Sequence, residues 1–69
     1  MEIIKLKEDY IKLGQALKAA GLVDSGVEAK FVIQDGLVYV NGNVELQRGK
    51  KLMDGDVVEF DGNQIKIEK

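Results

Sequence analysis

The residues with the clearest chemical potential form a short run of cations in the second half of the chain. Arg48, Lys50 and Lys51 supply three positive charges within residues 47–51, which contain no negative charge. Cations packed this closely repel one another unless an anion lies nearby. Lys and Arg side chains bind phosphate oxygens, and Gly49 lets a partner approach the backbone closely. The run therefore predicts an anionic partner.

A second anion site is indicated where a helix should begin. Ser25 precedes Glu28 by three residues, the spacing of a capping box, in which each side chain satisfies a free backbone N–H. The free amides and the dipole of a helix start also favour a phosphate, so Ser25 and Gly26 are candidate ligands. Alternatively, Ser25 is only a structural cap. Three lysines could flank the site or simply form solvated helix faces: Lys12, Lys18 and Lys30.

Composition excludes most catalytic chemistry. The chain has no Cys and no His, so thiolate chemistry, the commonest general base and the commonest transition-metal ligand are all absent. Asp54, Asp56 and Asp61 do not have the spacing of an EF-hand loop, and turn formation explains them. No phosphate-binding loop or dinucleotide fingerprint occurs. We therefore expect a protein that is not an enzyme and has no cofactor, metal or small-molecule substrate.

Length and hydropathy predict one small domain over residues 1–69, because 69 residues suffice for one core and little more. The longest apolar runs, such as 37–40, are far shorter than the roughly 20 residues of a membrane span. No signal-peptide pattern opens the chain, so we expect a cytoplasmic protein without membrane contact. The net charge of −2 does not indicate a nucleic-acid binder. Any such function must depend on how the charges are distributed.

The periodicity of the first half predicts an edge strand or an ordered arm, followed by two helices. Residues 2–7 partly alternate, as in a strand. Leu13, Ala16, Leu17 and Ala20 recur at helical spacing, which predicts a helix over about Lys12 to Ala20. The second helix runs from the cap at Ser25 through Ile33 and stops at Asp35-Gly36.

The second half reads as strands joined by tight turns. The predicted strands are 37–40, 43–46, 57–60 and 64–68, and Asn41-Gly42 and Asp61-Gly62 are hairpin turns. The expected fold class is α+β, with a helical hairpin packed on a small antiparallel sheet of three to five strands. Tyr10 and Phe31 could stack on bases, but we expect such a small domain to use its aromatic side chains in the core.

The ordered set of segments 13–26, 29–30, 38–42, 48–52 and 55–58 resembles the alpha-L RNA-binding motif, the domain type of ribosomal protein S-four. In particular it is similar to the small stand-alone bacterial proteins of the YaaA and YbcJ type. The resemblance spans roughly residues 10 to 60 and implies binding of structured RNA, ribosomal or transfer RNA or the ribosome itself, through the helical hairpin and a nearby basic loop. The matched candidates are Gln15, Lys18, Ser25, Gly26, Lys30, Arg48, Lys50 and Lys51, with Lys12 just ahead of the match.

Two departures from the family pattern predict weaker or less specific binding. Val27 stands where relatives usually have a second glycine, and Gln47 and Lys50 stand where they often have Arg. We expect RNA binding by a monomer whose hairpin cations and basic loop converge on one positive face. The alternative is a protein-interaction module on the same fold, which predicts mixed charges and an exposed apolar patch there. A ubiquitin-like sulfur carrier is set aside because the chain ends in residues 67–69 rather than Gly-Gly.

Overall fold

The computed structural model describes residues 1–69, which form two short helices and seven strands. The helices are α1 (Leu13–Ala19) and α2 (Gly26–Gln34). Neither has the length and apolar content needed to cross a membrane. In chain order the strands are β1 (Glu2–Lys5), β2 (Ile11–Lys12), β3 (Val38–Val40), β4 (Asn43–Val44), β5 (Lys51–Leu52), β6 (Val57–Phe60) and β7 (Asn63–Glu68).

The strands form two sheets that confirm the predicted fold class. The larger has five strands in the order β1-β7-β6-β3-β4, and β2 pairs with β5 in a separate two-stranded ladder. All pairs are antiparallel except β1 with β7, which is parallel. This parallel pair joins the two ends of the chain, a contact for which the local sequence pattern carries no signal. The first segment is an edge strand, as predicted.

The helical hairpin follows the predicted apolar stripe. Leu13, Ala16 and Leu17 are completely buried, and α1 ends at Ala19, one residue before the predicted end. Ala20 is its C-cap and is half-buried. The following Gly21 has a φ of 75°, the left-handed conformation that glycine adopts without steric cost after a helix. The prediction of a helix over 12–20 is therefore confirmed to within one residue at each end.

Twelve buried side chains, all of them apolar, form a single core cluster between the hairpin and the sheets: Leu13, Ala16, Leu17, Val23, Ala29, Ile33, Val38, Val40, Leu52, Val58, Ile65 and Ile67. The expectation that the aromatic side chains Tyr10 and Phe31 belong to this core is wrong. Phe31 is 58% exposed and Tyr10 is 38% exposed. Phe31 lies two residues from Ala29 and Ile33 on α2, which turns it away from the face that they bury.

Both predicted hairpin turns adopt the geometry that their sequences favour. Asn41 and Gly42 have φ values of 51° and 85°, and Asp61 and Gly62 have 53° and 78°. Two consecutive positive φ values match the twist of the flanking strands. Asn41 does more than turn the chain, because its Oδ1 accepts a hydrogen bond from the Val57 N–H at 2.9 Å and its Nδ2 donates to Asp56 Oδ1 at 3.0 Å. The turn is thereby tied to the start of β6.

Replacing Asn41 by Ala should therefore destabilise the fold. The change leaves the Val57 N–H without its acceptor and keeps a β-carbon in the left-handed region, so we expect a loss of about 1–3 kcal/mol in the free energy of unfolding. Urea denaturation measures the loss. The control is Asn43→Ala in the same turn, since the Asn43 side chain makes only one long bond of 3.5 Å. Equal stability of the two variants would refute a structural role for the Asn41 side chain.

Candidate functional site

The basic loop, residues 47–51, is fixed to the start of α1 by backbone hydrogen bonds. The Leu13 N–H donates to the Lys50 carbonyl at 2.9 Å, and the Gly14 N–H donates to the Arg48 carbonyl at 3.1 Å. These bonds satisfy two of the amides that a helix start leaves without partners. Lys12 also pairs with Lys51 in the β2–β5 ladder. The loop and the helix are therefore positioned as one unit.

Gly14 lies where the basic loop passes closest to α1. A β-carbon at this position would lie 3.7 Å from both the Cβ and the carbonyl oxygen of Arg48, and 3.9 Å from the Cβ of Ala29. These are ordinary contact distances, so an Ala would fit, whereas a larger side chain would meet the loop and α2. The small residue thus lets Arg48 lie directly against the helical hairpin, a role that the local sequence pattern does not indicate.

An open depression between the hairpin and the loop collects five of the predicted site residues. Its lining contains three cations and no carboxylate and no hydrophobic side chain: Lys12, Gly14, Gln15, Lys18, Gly26, Arg48 and Gly49. The side chains of Lys12, Gln15 and Lys18 are exposed. We call this surface the polar depression. It presents positive charge and three glycine residues, a combination suited to phosphate oxygens.

The other predicted site residues lie outside this depression. Lys50 and Lys51 line a different one, together with Glu45 and Asp56. The Lys51 Nζ lies 4.8 Å from the centroid of the Tyr10 ring, within the range of a cation–π interaction. Lys30 is exposed on α2 and lines neither depression. The loop cations are thus divided, with Arg48 facing the hairpin and Lys50 and Lys51 on a surface of mixed charge.

The predicted cations have no ion-pair partners. The three ion pairs of the protein are Lys5–Glu68, Lys66–Glu68 and Lys69–Asp9, all of which involve the terminal strand β7 or the residue after it. No carboxylate lies within ion-pair distance of any predicted cation: Lys12, Lys18, Lys30, Arg48, Lys50 or Lys51. Lys12 and Lys51 even face each other across β2 and β5, an arrangement of like charges that destabilises a ladder. An anionic ligand would relieve this repulsion.

Several carboxylates are engaged by backbone amides instead. Glu45 accepts from the Gln47 N–H at 3.2 Å, and Asp56 accepts from the Met53 N–H at 2.7 Å. Asp54 accepts from the Lys69 N–H at 2.9 Å. These carboxylates bind backbone amides in turns and at the chain end, and none of them lines the polar depression. The net charge of −2 for the whole chain therefore does not represent the charge of that surface. No group of three potential ligand side chains is arranged to hold a metal ion.

The start of α2 contains one of the two predicted capping interactions. Ser25 Oγ accepts from the Glu28 N–H at 3.1 Å, as expected. Glu28 Oε1 accepts from the Asp24 N–H at 2.7 Å rather than from the amide of Ser25, so its bond is displaced by one residue. The amides of Gly26 and Val27 have no acceptor within the protein. Gly26 lines the polar depression, whereas the Val27 side chain is 62% exposed and lies outside it.

Comparison with known proteins finds close relatives over nearly the whole chain. The family model described as S4 domain matches residues 4–68. The probable ribosome maturation protein RlbA of Bacillus subtilis (strain 168) is 42% identical over 59 residues, which are 86% of this chain and 83% of that protein. YbcJ of Escherichia coli (strain K12) is 34% identical over 61 residues, 88% of this chain and 87% of that protein.

The fold is also shared with a solved structure. The solution structure of YbcJ from E. coli, described as revealing an αL motif involved in RNA binding, matches with a TM-score of 0.76 and 33% sequence identity. The match covers 100% of this chain and 89% of that one. The resemblance drawn from the sequence segments is therefore confirmed at the level of both sequence and fold.

The hydroxyl of Ser25 should matter first as a helix cap. We expect Ser25→Ala to lower the free energy of unfolding by about 0.5–2 kcal/mol, since the Glu28 N–H loses its acceptor. Ser25→Asp should retain most of the stability because Asp is an equally good cap. Chemical denaturation of the three proteins provides the measurement. An unchanged stability of Ser25→Ala would show that the hydroxyl is not needed to start α2.

Proposed function

Because the chain belongs to the S4 domain family, we propose that residues 1–69 act as one non-catalytic domain that binds structured RNA. The observation that carries the proposal is the polar depression, where three cations and no carboxylate meet. A-form RNA is recognised mainly through its phosphates, its 2′-hydroxyls and its shape. Cations, amides and exposed backbone suit such recognition, and the depression supplies all three.

The residues of the depression would contact different groups of the RNA, according to the chemistry of each side chain. Arg48 offers a planar fork to two phosphate oxygens, whereas Lys12 and Lys18 act as point charges. The free Gly26 amide at the start of α2 can donate to a further phosphate oxygen. The Gln15 Oε1 already accepts from the Lys12 N–H at 3.3 Å, and the side-chain NH₂ group is left to donate to a 2′-hydroxyl. Lys30, Lys50 and Lys51 are further candidate RNA contacts outside the depression, and Ser25 caps the start of α2.

The RNA is proposed to be ribosomal RNA, another ribosome-associated RNA, or transfer RNA. The relative RlbA, a probable ribosome maturation protein, favours the ribosomal class, and the αL motif of YbcJ is described as involved in RNA binding. The protein would act in the cytoplasm as a monomer, without cofactor, small-molecule substrate or membrane contact. The charged side chains on the edge strand β1, Glu2 and Lys5, oppose pairing with a second sheet edge.

A protein-interaction module on the same fold is the second candidate. Val27 and Phe31 lie one helical turn apart on α2, and both are more than half exposed. The surface around Lys50 and Lys51 also carries Glu45 and Asp56, the mixed charge that this function predicts. The polar depression, which lacks carboxylates, favours RNA. Absence of RNA binding even at low salt would favour the protein-interaction module.

A salt titration of RNA binding tests the proposal. Phosphate contacts give log K a slope of about −0.7 to −0.9 per neutralised phosphate against log salt. We expect the double variant Lys18→Gln, Arg48→Gln to flatten the slope by up to twice this amount and to weaken binding at low salt. Fluorescence anisotropy with purified ribosomal RNA fragments provides the measurement.

The matched control is Lys66→Gln, because Lys66 lies on β7 beside Glu68 and away from the depression. It removes one cation without altering the proposed interface and should leave the slope unchanged. The double variant Lys50→Gln, Lys51→Gln should have a smaller effect than Lys18→Gln, Arg48→Gln, since Glu45 and Asp56 already lie beside those lysines. Equal slopes for all four proteins would contradict a phosphate-binding depression.

A further inference from the structure

We propose that a groove beside the polar depression holds one unpaired nucleotide of the bound RNA, with its base stacked on Tyr10. This inference rests on the proposed RNA binding and specifies the substrate class: RNA in which a duplex is interrupted by an unpaired residue. The groove lies between the segment that follows β1 and the start of α1. It is lined among others by Leu6, Lys7, Tyr10, Lys12, Gln15 and Ala19.

The groove is continuous with the polar depression. Lys12 and Gln15 line both surfaces, so they form a shared wall between them. A strand whose phosphates lie over Lys12 would pass the mouth of the groove. A nucleotide turned out of the duplex at that point would place its base in the groove while its phosphate stays beside Lys12.

The lining of the groove suits a base better than a phosphate. Five of its ten residues are hydrophobic, and Ile4, Leu6 and Ile11 among them are only half-buried, so they offer an apolar floor. Lys5 is engaged by Glu68, and Glu8 adds a carboxylate to the lining. An uncharged aromatic ring that carries polar edges matches this mixture of an apolar floor and a charged rim.

Tyr10 is held in a position suited to stacking. The residue is 38% exposed although it directly precedes β2. The Lys51 Nζ lies over one face of the ring, 4.8 Å from its centroid, so a base would stack on the opposite face. Base stacking on an aromatic side chain tolerates any base identity, so the groove would recognise the unpaired state of a nucleotide rather than its sequence.

The test compares a blunt RNA duplex with the same duplex carrying one unpaired 2-aminopurine. Stacking of one base on an aromatic side chain corresponds to roughly a 5- to 150-fold gain in affinity, so we expect the bulged RNA to bind more tightly by a factor in this range. The Tyr10→Leu variant should lose this preference but bind the blunt duplex as before. Tyr10→Phe should retain the preference because the ring remains. The fluorescence of 2-aminopurine should change on binding to the native chain and to Tyr10→Phe, and should not change on binding to Tyr10→Leu.

Tyr39→Leu is the matched control, since Tyr39 is 40% exposed on the five-stranded sheet and lines neither surface. It should keep the preference. A second variant, Ala19→Gln, fills the groove from α1 without altering Tyr10 and should reduce the preference for the bulged RNA. This variant keeps the test valid if thermal unfolding shows that Tyr10→Leu is unstable. The inference is overturned if the blunt duplex binds but the bulge adds no affinity, or if Tyr10→Leu and Ala19→Gln both retain the preference. If neither RNA binds the native chain, the proposed function itself fails.

Discussion

The structure depends on two backbone hydrogen bonds that join the first turn of α1 to the carbonyls of Lys50 and Arg48. A helix of seven residues is not stable alone, and the basic loop has no regular structure of its own. The helix and the loop stabilise each other, because the helix start has free backbone N–H donors and the loop has free carbonyl acceptors. The bonds join residues more than thirty positions apart in the chain, and they place the Arg48 side chain against the hairpin.

The same arrangement explains how an acidic chain can present a positive surface. Folding uses the carboxylates of Glu28, Glu45 and Asp56 as acceptors for local amides, and the three ion pairs involve β7 or the chain end beside it. The cations of the hairpin and loop receive no such partners. A charged ligand responds to the charges near the surface that it binds. The net charge of the whole chain therefore does not predict the charge of the polar depression.

The sequence was sufficient for the features that arise from local patterns. The stripe of Leu13, Ala16 and Leu17, the cap at Ser25 and the two hairpin turns all follow from spacing within a few residues, and the structure confirms them. The parallel pairing of β1 with β7 could not be predicted, since it depends on which distant edges meet. The exposure of Tyr10 and Phe31 was missed because aliphatic residues suffice to fill the core.

The sequence named candidate residues for the site but could not predict how they are divided between two surfaces. Charge alone groups Arg48 with Lys50 and Lys51, and only the three-dimensional path of the loop separates them onto two surfaces. The role of Gly14 in leaving room for Arg48 could not be predicted from the sequence either, because it depends on a loop that approaches from a distant part of the chain. In each case the missing information is a long-range contact rather than a residue type.

The polar depression is assembled from three segments that are separate in the chain, near residues 12–18, 26 and 48–49. In the unfolded chain these cations are interspersed with acids and form no common surface. A ligand that requires the assembled depression binds the folded state alone, so it stabilises the fold by mass action. By the same linkage, a core substitution that leaves part of the protein unfolded, for instance at the buried Leu52 of β5, weakens apparent affinity without touching the ligand. For a domain of this size, folding and recognition are a single coupled equilibrium.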